Sequence, residues 1–284
     1  MNLCFIGGGN MASALIGGLI ESQTPLQRLH VVEPDGQARE RLLSRFASPA
    51  RTHGIEFSMD ACDCPEDLST EPGANWTILA VKPQQMHEAC VNATSGIRHI
   101  LGHSLLLSIA AGVSVGTIAG WCGNPRVVRA MPNTPALVGS GITGLFAGDD
   151  VPAQARAQAD QLMSAVGRTV WIDREELMDA VTALSGSGPA YVFRFIEALT
   201  AAGAELGLTT AQSAMLALET VKGATTLLES SGESPAILRD RVTSRGGTTA
   251  AALASLDQDG FMSIIARALH AARDRGAEMS REFR

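Results

Sequence analysis

The stretch NLCFIGGGNMASALIGGLI, residues 2–20, constrains this chain more than any other. A short apolar run stops at three glycines and resumes as a helical pattern. Within it, Gly7-x-Gly9-x-x-Ala12 is the GxGxxA form of a dinucleotide fingerprint. Each residue type has a steric task. Gly7 makes the tight turn, Gly9 lets a pyrophosphate approach the backbone, and Ala12 permits close packing of helix on strand. The helix N-terminus then faces the anion with unpaired N–H groups. A strand, a glycine turn and a helix at the start of an alternating pattern make the first βαβ unit of a mostly parallel sheet.

The pattern continues to Ile172. LCFIG, RLHVVEP, WTILAVKP, LLLSIAAG, RVVRAMP and RTVWID are short, aliphatic or β-branched, and most close on Gly or Pro; they read as strands. After Asp173 the strand signals stop. ELMDAVTAL, PAYVFRFIEALTAAGAELG, TAQSAMLALETVKGATTLLES and GFMSIIARALHAARDRGAEM are long helical patterns rich in Ala and Leu. The expected fold is therefore an α/β Rossmann-like domain with a doubly wound sheet over 1–172, followed by an all-α domain over 173–284. Several of those helices are apolar over much of their circumference, and such faces must be buried. About 110 residues make a thin core, so an interface between copies of the chain is the simplest account of them.

Bulk properties remove other classes. Hydrophobic residues make up 45% of the 284-residue chain and charged residues 18%, which is globular composition. A formal net charge of -7 offers no basic surface to nucleic acid. No apolar run is long enough to cross a bilayer. Five cysteines, an odd number in a chain of this size, argue against a disulfide framework. Cys62-Asp63-Cys64 is half a metal clasp with no second pair at ligand spacing, so no metal is expected. The chain enters LCFIGGG almost directly, with no basic leader. A reduced cytoplasmic location is the expectation.

Further candidates cluster where strands end. Glu33 follows Gly7 by 26 residues, where an acid would hold a ribose hydroxyl and favour NAD. Arg39 and Arg41 follow it and would favour NADP by meeting a 2′-phosphate. Lys82 is one of only two lysines, against twenty arginines, and it closes the strand that ends in Ala80 and Val81, just before Pro83. Ala110, Ala111 and Gly112 leave room for a nicotinamide. Pro132 and Pro135 bracket Asn133 and Thr134 in a stiff turn. Near the other end, RVTSRGGTTAAAL sets two glycines before an alanine-rich helical run. It is either a plain helix start with a threonine cap or a grip on an anionic substrate.

FIGGGNMA, AVKP, SIAAGV, RAMPNTPALV, LSGSGPAYVF and RVTSRGGTTAAAL, in this order, resemble the pyrroline-5-carboxylate reductase family over essentially the whole chain. The first motif is generic to nucleotide-binding domains; the last three are specific. The resemblance implies reduction of 1-pyrroline-5-carboxylate to L-proline, the last step of proline synthesis, with hydride from a nicotinamide cofactor, NADP with NAD as the open alternative. It implies cofactor contacts from Ile6, Gly7, Gly9, Asn10, Met11, Glu33, Ala80, Val81, Lys82, Pro83, Ala110, Ala111, Gly112 and Asn133. It implies that Ser244, Gly246, Gly247 and Thr248 hold the substrate carboxylate and that Thr249 bonds the ring nitrogen. It also implies a homodimer through the C-terminal helices, in the family often assembled into a larger ring of dimers, with the active site between one subunit's nucleotide domain and its partner's helices. One departure stands out: the family usually has proline where this chain has Arg245.

An imine is already electrophilic and the cofactor carries the hydride, so the reaction asks mainly for orientation. The six histidines share no motif, and none is needed as an acid. Two other readings compete. A β-hydroxyacid dehydrogenase resembles its relatives in a helical GxxxK, but the one helical lysine, Lys222, has Leu at position 218. A non-catalytic dinucleotide-binding regulator would keep Gly7 and Gly9 and would not need the device at Gly246–Thr249.

Overall fold

The computed structural model describes residues 1–22, 24–63 and 75–283. It divides into two compact units, one of residues 1–187 with 272–284, the other of residues 188–271. The first holds eight strands: β1 (Asn2–Ile6), β2 (Arg28–Val32), β3 (Glu56–Asp60), β4 (Asn75–Leu79), β5 (Leu105–Ser108), β6 (Val127–Met131), β7 (Gly141–Ala147) and β8 (Gly167–Trp171). They form one sheet in the order β3-β2-β1-β4-β5-β6-β7-β8. All neighbours pair parallel except β6 and β7. The helices between them are α1 (Asn10–Glu21), α2 (Gly36–Thr52), α3 (Pro83–Val91), α4 (Ser95–His103), α5 (Val115–Cys122) and α6 (Ala153–Ser164).

The side-chain period of two sorts the strands onto two cores. Leu3, Phe5, Leu29, Val31, Trp76 and Ile78 join Leu15, Ile16 and Leu19 of α1 and Leu42 and Phe46 of α2 in one cluster. Their chain neighbours Cys4, Ile6, Val32 and Leu79 join Met86 of α3, Ile97 and Leu101 of α4 and Ile118 of α5 in the other. Strands buried on both faces read as continuous apolar runs, and that is how LCFI and WTIL read. This is the doubly wound sheet expected from the sequence.

Two strands escaped that expectation. β3 is an edge strand, mostly half-exposed, and its EFSMD has little apolar signal. β7 carries Gly141 and Gly144, residues that argue against a strand. Gly144 is needed: a Cβ there would lie 2.5 Å from Cγ1 of Val181.

Beyond β8 the chain turns helical. α7 (Met178–Val181) passes directly into a π turn at Thr182–Gly186, with Ser187 N–H donating to the Thr182 carbonyl at 2.8 Å. Ser185 therefore does not cap a helix; its hydroxyl donates back to the Val181 carbonyl at 3.0 Å. The second unit contains α8 (Gly188–Glu205), α9 (Thr210–Ser231), α10 (Pro235–Arg241), α11 (Thr248–Gln258) and the start of α12 (Phe261–Glu282), whose last turns belong to the first unit. A full capping box opens α9, Thr209 with Gln212. α8 and α9 approach closely where a Cβ on Gly203 would lie 2.9 Å from the Ser213 hydroxyl. Elsewhere these helices and the turn after α8 bare large apolar side chains, with Phe193 62%, Leu206 87%, Met215 70% and Met262 76% exposed. No helix among the described residues is long and apolar enough to cross a membrane.

Candidate active site

A cleft of about 1120 Å³ opens at the carboxyl ends of β1, β2 and β4. It gathers eight of the residues singled out for the cofactor: Ile6, Gly7, Gly9, Asn10, Glu33, Ala80, Val81 and Lys82. The glycine turn is built as its chemistry requires. Gly7 has φ +101°, and its N–H donates to the Val32 carbonyl at 2.8 Å. A Cβ on it would lie 2.8 Å from the Ala80 carbonyl oxygen and 2.9 Å from Cγ1 of Val81. Gly9 is the N-cap of α1, and a Cβ there would meet no protein atom within 4 Å. The space before it is open cleft, in front of unpaired helix N–H groups. The turn thus fits a pyrophosphate, and the cleft fits a dinucleotide.

The end of β2 differs from the simple expectation for a ribose-binding acid. Both oxygens of Glu33 already accept backbone N–H groups, Oε2 from Gly8 at 2.7 Å and Oε1 from Asp35 at 2.9 Å. Asp35 in turn caps α2, accepting from the Gln37 N–H at 2.9 Å. Arg39 folds back on the same turn and donates to the Glu33 and Pro34 carbonyls at 2.6 and 2.9 Å. Farther along, Ala61 and Cys62 form part of the cleft wall. They are held by Asp60, whose carboxylate accepts from the Cys62 and Asp63 N–H groups at 2.9 and 3.1 Å. Those bonds hold its carboxyl below the ordinary value. His30 lies beneath, with Nδ1 2.9 Å from the Ser58 hydroxyl and Nε2 3.3 Å from the Asp63 carbonyl, and burial pushes its imidazole down. Cys64 lies outside the described residues.

The remaining cofactor candidates flank the cleft. Met11 and Pro83 sit in the first turns of α1 and α3, with Lys82 as the N-cap of α3. Ala110 is buried, and its N–H donates to the Ser108 hydroxyl at 3.3 Å. Gly112 has φ +76°, and the end of α12 packs over it, with Met279 and Ser280 atoms 3.6 Å from where its Cβ would be. Ala111 lies between them. Asn133 is buried and its amide is committed inward: Oδ1 accepts from the Ile142 N–H at 3.0 Å and Nδ2 donates to the Ser185 carbonyl at 3.2 Å. Its side chain is a brace for the turn. The sequence reading also missed a buried ion cluster below this loop. Glu175 accepts from the Val115 N–H at 2.7 Å and from Arg129 at 3.3 Å, and Asp179 lies 3.7 Å from the same guanidinium. Arg129 is 5% exposed.

In the second unit, RVTSRGG forms the link between α10 and α11. Thr243 closes α10 by donating its hydroxyl to the Arg239 carbonyl at 2.6 Å. Gly246 turns the chain at φ +72°, and the Gly247 N–H donates to the Ser244 carbonyl at 3.0 Å. Helix α11 starts at Thr248 with Gly247 as its N-cap and no side-chain cap. Neither threonine serves as a cap residue. Among the described residues, the hydroxyls of Ser244, Thr248 and Thr249 engage no protein group, and Thr248 is exposed. The link therefore presents a bare helix N-terminus, open glycine backbone and free hydroxyls, the components of a carboxylate site.

A doubly wound sheet with a GxGxxA cleft at its carboxyl edge, followed by long helices with bare apolar faces, defines a dinucleotide-dependent oxidoreductase with a helical second part. Comparison with known proteins narrows the class. Residues 175–279 match the family model for pyrroline-5-carboxylate reductase dimerisation, and residues 2–112 match that for NADP oxidoreductase coenzyme F420-dependent. The chain is 41% identical to pyrroline-5-carboxylate reductase of Pseudomonas aeruginosa over 282 residues, covering 99% of this chain and 97% of that one. It superposes on a pyrroline-5-carboxylate reductase from Coxiella burnetii with a TM-score of 0.84, at 34% identity and 98% coverage of both chains. A Plasmodium falciparum pyrroline carboxylate reductase solved with NADP bound gives a TM-score of 0.77, at 29% identity over 99% of this chain and 100% of that one. This chain belongs to the pyrroline-5-carboxylate reductase family.

Proposed function

We propose that this chain reduces 1-pyrroline-5-carboxylate to L-proline with NADPH, closing proline synthesis. Membership of the family carries the reaction, and the NADP-type family model over residues 2–112 and the NADP-bound relative support the cofactor. When bound, NADPH supplies the hydride that saturates the ring C=N bond. The chain's own residues then have two tasks, to hold the ring by its carboxylate and to satisfy its nitrogen.

The observation that carries the site is the bare N-terminus of α11. The backbone and hydroxyls around Ser244, Gly246, Gly247 and Thr248 hold the substrate carboxylate. The helix end supplies partial positive charge where the protein as a whole is negative. Thr249, with a hydroxyl that both donates and accepts, bonds the ring nitrogen as it changes protonation. Arg245, in place of the family's proline, stands exposed beside this site. In the first unit, Ile6, Gly7, Gly9, Asn10, Met11, Ala80, Val81, Lys82 and Pro83 take the pyrophosphate side of the cofactor. Ala110, Ala111, Gly112 and the backbone of Asn133 take the nicotinamide side. The nucleotide domain spans 1–172 and the helical domain 173–284.

The dimerisation model over residues 175–279 supports a homodimer, which would cover Phe193, Leu206, Met215 and Met262. A ring of dimers, the family's larger assembly, is read by the mass in solution. A cytoplasmic location is part of the same reading.

The test is oxidation of NADPH, and separately NADH, with 1-pyrroline-5-carboxylate, for wild type, Thr249→Ala and Thr249→Ser. Turnover in wild type, a loss of about a hundredfold in the alanine variant and partial recovery in the serine variant are expected, from loss of a hydrogen bond to a charged group. Full turnover in Thr249→Ala would remove Thr249 from the chemistry and leave the enzyme. No turnover with either cofactor would overturn the reading.

A further inference from the structure

We propose that Arg41 and Arg45, one turn apart on α2, read the 2′-phosphate that distinguishes NADPH from NADH, while Glu33 is a strut of the glycine turn. The inference rests on the NADP(H) reading above and names the groups of this chain that enforce it.

The cofactor's adenosine ribose lies at the end of the second strand in this architecture, where an acid takes the hydroxyls of NAD or an arginine takes the phosphate of NADP. Here the acid is engaged by the backbone of its own turn. Glu33 holds the Gly8 and Asp35 N–H groups, one on each oxygen. Arg39, nearest in sequence, is withdrawn as well, bonded to two backbone carbonyls of its own turn. Arg41 and Arg45 remain. They are four residues apart and so share a helix face, and both line the cleft beside Ser13.

Neither guanidinium is closely held by a carboxylate. Arg41 lies 3.9 Å from Oδ2 of Asp35, whose other oxygen caps the helix. Arg45 donates to the Ser13 hydroxyl at 3.3 Å, and its guanidinium sits 5.0 Å from the ring centroid of Phe46. Phe46 is buried, so the stem of Arg45 is supported while its head stays in the cleft. The nearby carboxylates are engaged elsewhere, Glu33 and Asp35 by backbone N–H groups and Asp60 by the Cys62 and Asp63 N–H groups. Across the cleft Glu88 is engaged by the Asn92 amide. In a chain of net charge -7, this wall of the cleft still presents two guanidiniums, of Arg41 and Arg45, to an anion. The arginine fork matches phosphate oxygens in pairs and offers little to a neutral diol. Selectivity would then come from phosphate attraction.

Dissociation constants for NADPH and NADH test this without turnover. Trp76, Trp121 and Trp171 all lie in the first unit and report binding by fluorescence. Wild type is expected to bind NADPH at least about tenfold more tightly than NADH. Arg41→Ala and Arg45→Ala are each expected to weaken NADPH by about tenfold, and the double variant by about a hundredfold, with NADH unchanged. The unchanged NADH constant also shows that the cleft remains folded. Adenosine 2′-monophosphate should follow NADPH, and adenosine 5′-monophosphate should follow NADH. Arg39→Ala is expected to weaken both cofactors alike, because it holds the turn. Equal loss of both cofactors in the Arg41 and Arg45 variants, or no loss, would overturn the assignment. Tighter NADH binding by wild type would instead overturn the NADP(H) reading on which it rests.

Discussion

Two glycines two residues apart in the same turn should respond to the same substitution in opposite ways. At Gly7 the backbone sits at φ +101°, where an L-residue costs about 1–2 kcal/mol. The added Cβ would also press on the Ala80 carbonyl at 2.8 Å. Ala80 cannot easily retreat, because its N–H is bonded to the Ile6 carbonyl at 2.8 Å. Overpacking of this kind costs about 1–3 kcal/mol, so Gly7→Ala should lose about 2–5 kcal/mol. At Gly9 the backbone is ordinary, φ -68° and ψ -175°, and nothing lies within 4 Å of the new Cβ. Alanine is a poorer N-cap than glycine by up to about 1 kcal/mol. It also restricts the unfolded chain by about 0.4–1 kcal/mol. The two nearly cancel, and Gly9→Ala should be neutral within about 0.5 kcal/mol. Its methyl group would instead occupy the path of the pyrophosphate. Urea unfolding followed by tryptophan fluorescence reads the first unit, which holds all three tryptophans. With a slope of about 3 kcal/mol per molar, Gly7→Ala should lower the midpoint by about 1 M. Gly9→Ala should leave it in place while weakening NADPH by about tenfold or more. A Gly9→Ala midpoint as low as that of Gly7→Ala, or full NADPH affinity in a folded Gly9→Ala protein, would refute the reasoning.

Arg129→Met should cost about 2–3 kcal/mol in the same unfolding assay, the low end for a buried pair because Glu175 and Asp179 keep some contact with water; a change under about 0.5 kcal/mol would show that the cluster is screened. His30 links stability to pH. Burial places its folded value below 6.5, so its contribution is complete above 6.5 and is lost as pH falls below it toward the folded value. His30→Gln should flatten that slope, and a slope unchanged in the variant would assign it to another group. Asp60 acts in a separate window: its folded value lies below 3.8, so its contribution is lost only as pH falls beneath 3.8.

Much of this was legible in the residues because steric requirements are local. Gly7, Gly9 and Ala12 do the work of a turn that few other residues can make, and they announced both the first βαβ unit and the cleft. Strands buried on both faces, such as LCFI and WTIL, declare themselves by unbroken apolar character. EFSMD and GITGLFA do not, one because an edge strand needs little apolar surface, the other because Val181 packs where side chains would be. The direction of a side chain is harder to read. Sequence spacing puts Glu33 at the end of β2, but spacing does not reveal that both oxygens face backbone N–H groups. Arg39 and Arg45 look alike on a helical pattern; only the fold turns one onto its own backbone and the other into the cleft. Asn133 likewise braces Ile142 and Ser185 from inside.

The reversed pair at the end of the sheet has a further consequence. β7 and β8 run against the first six strands, yet their offset register keeps them at the cleft rim: Trp171, the last residue of β8, stands level with Leu145 and so with Ala130, near the carboxyl end of β6. The path through Glu175, α7 and the π turn then stays near that end of β6, and at Ser185 it reaches Asn133, just past β6. The chain thus leaves the nucleotide unit on the same side as the glycine turn. The offset, rather than the polarity, sets this exit: with β7 and β8 in full register against β6, β8 would end at the far rim of the sheet. The buried Arg129 cluster ties this path, through Glu175 and Asp179, to β6 and the start of α5, which gives the ion network a reason to be kept.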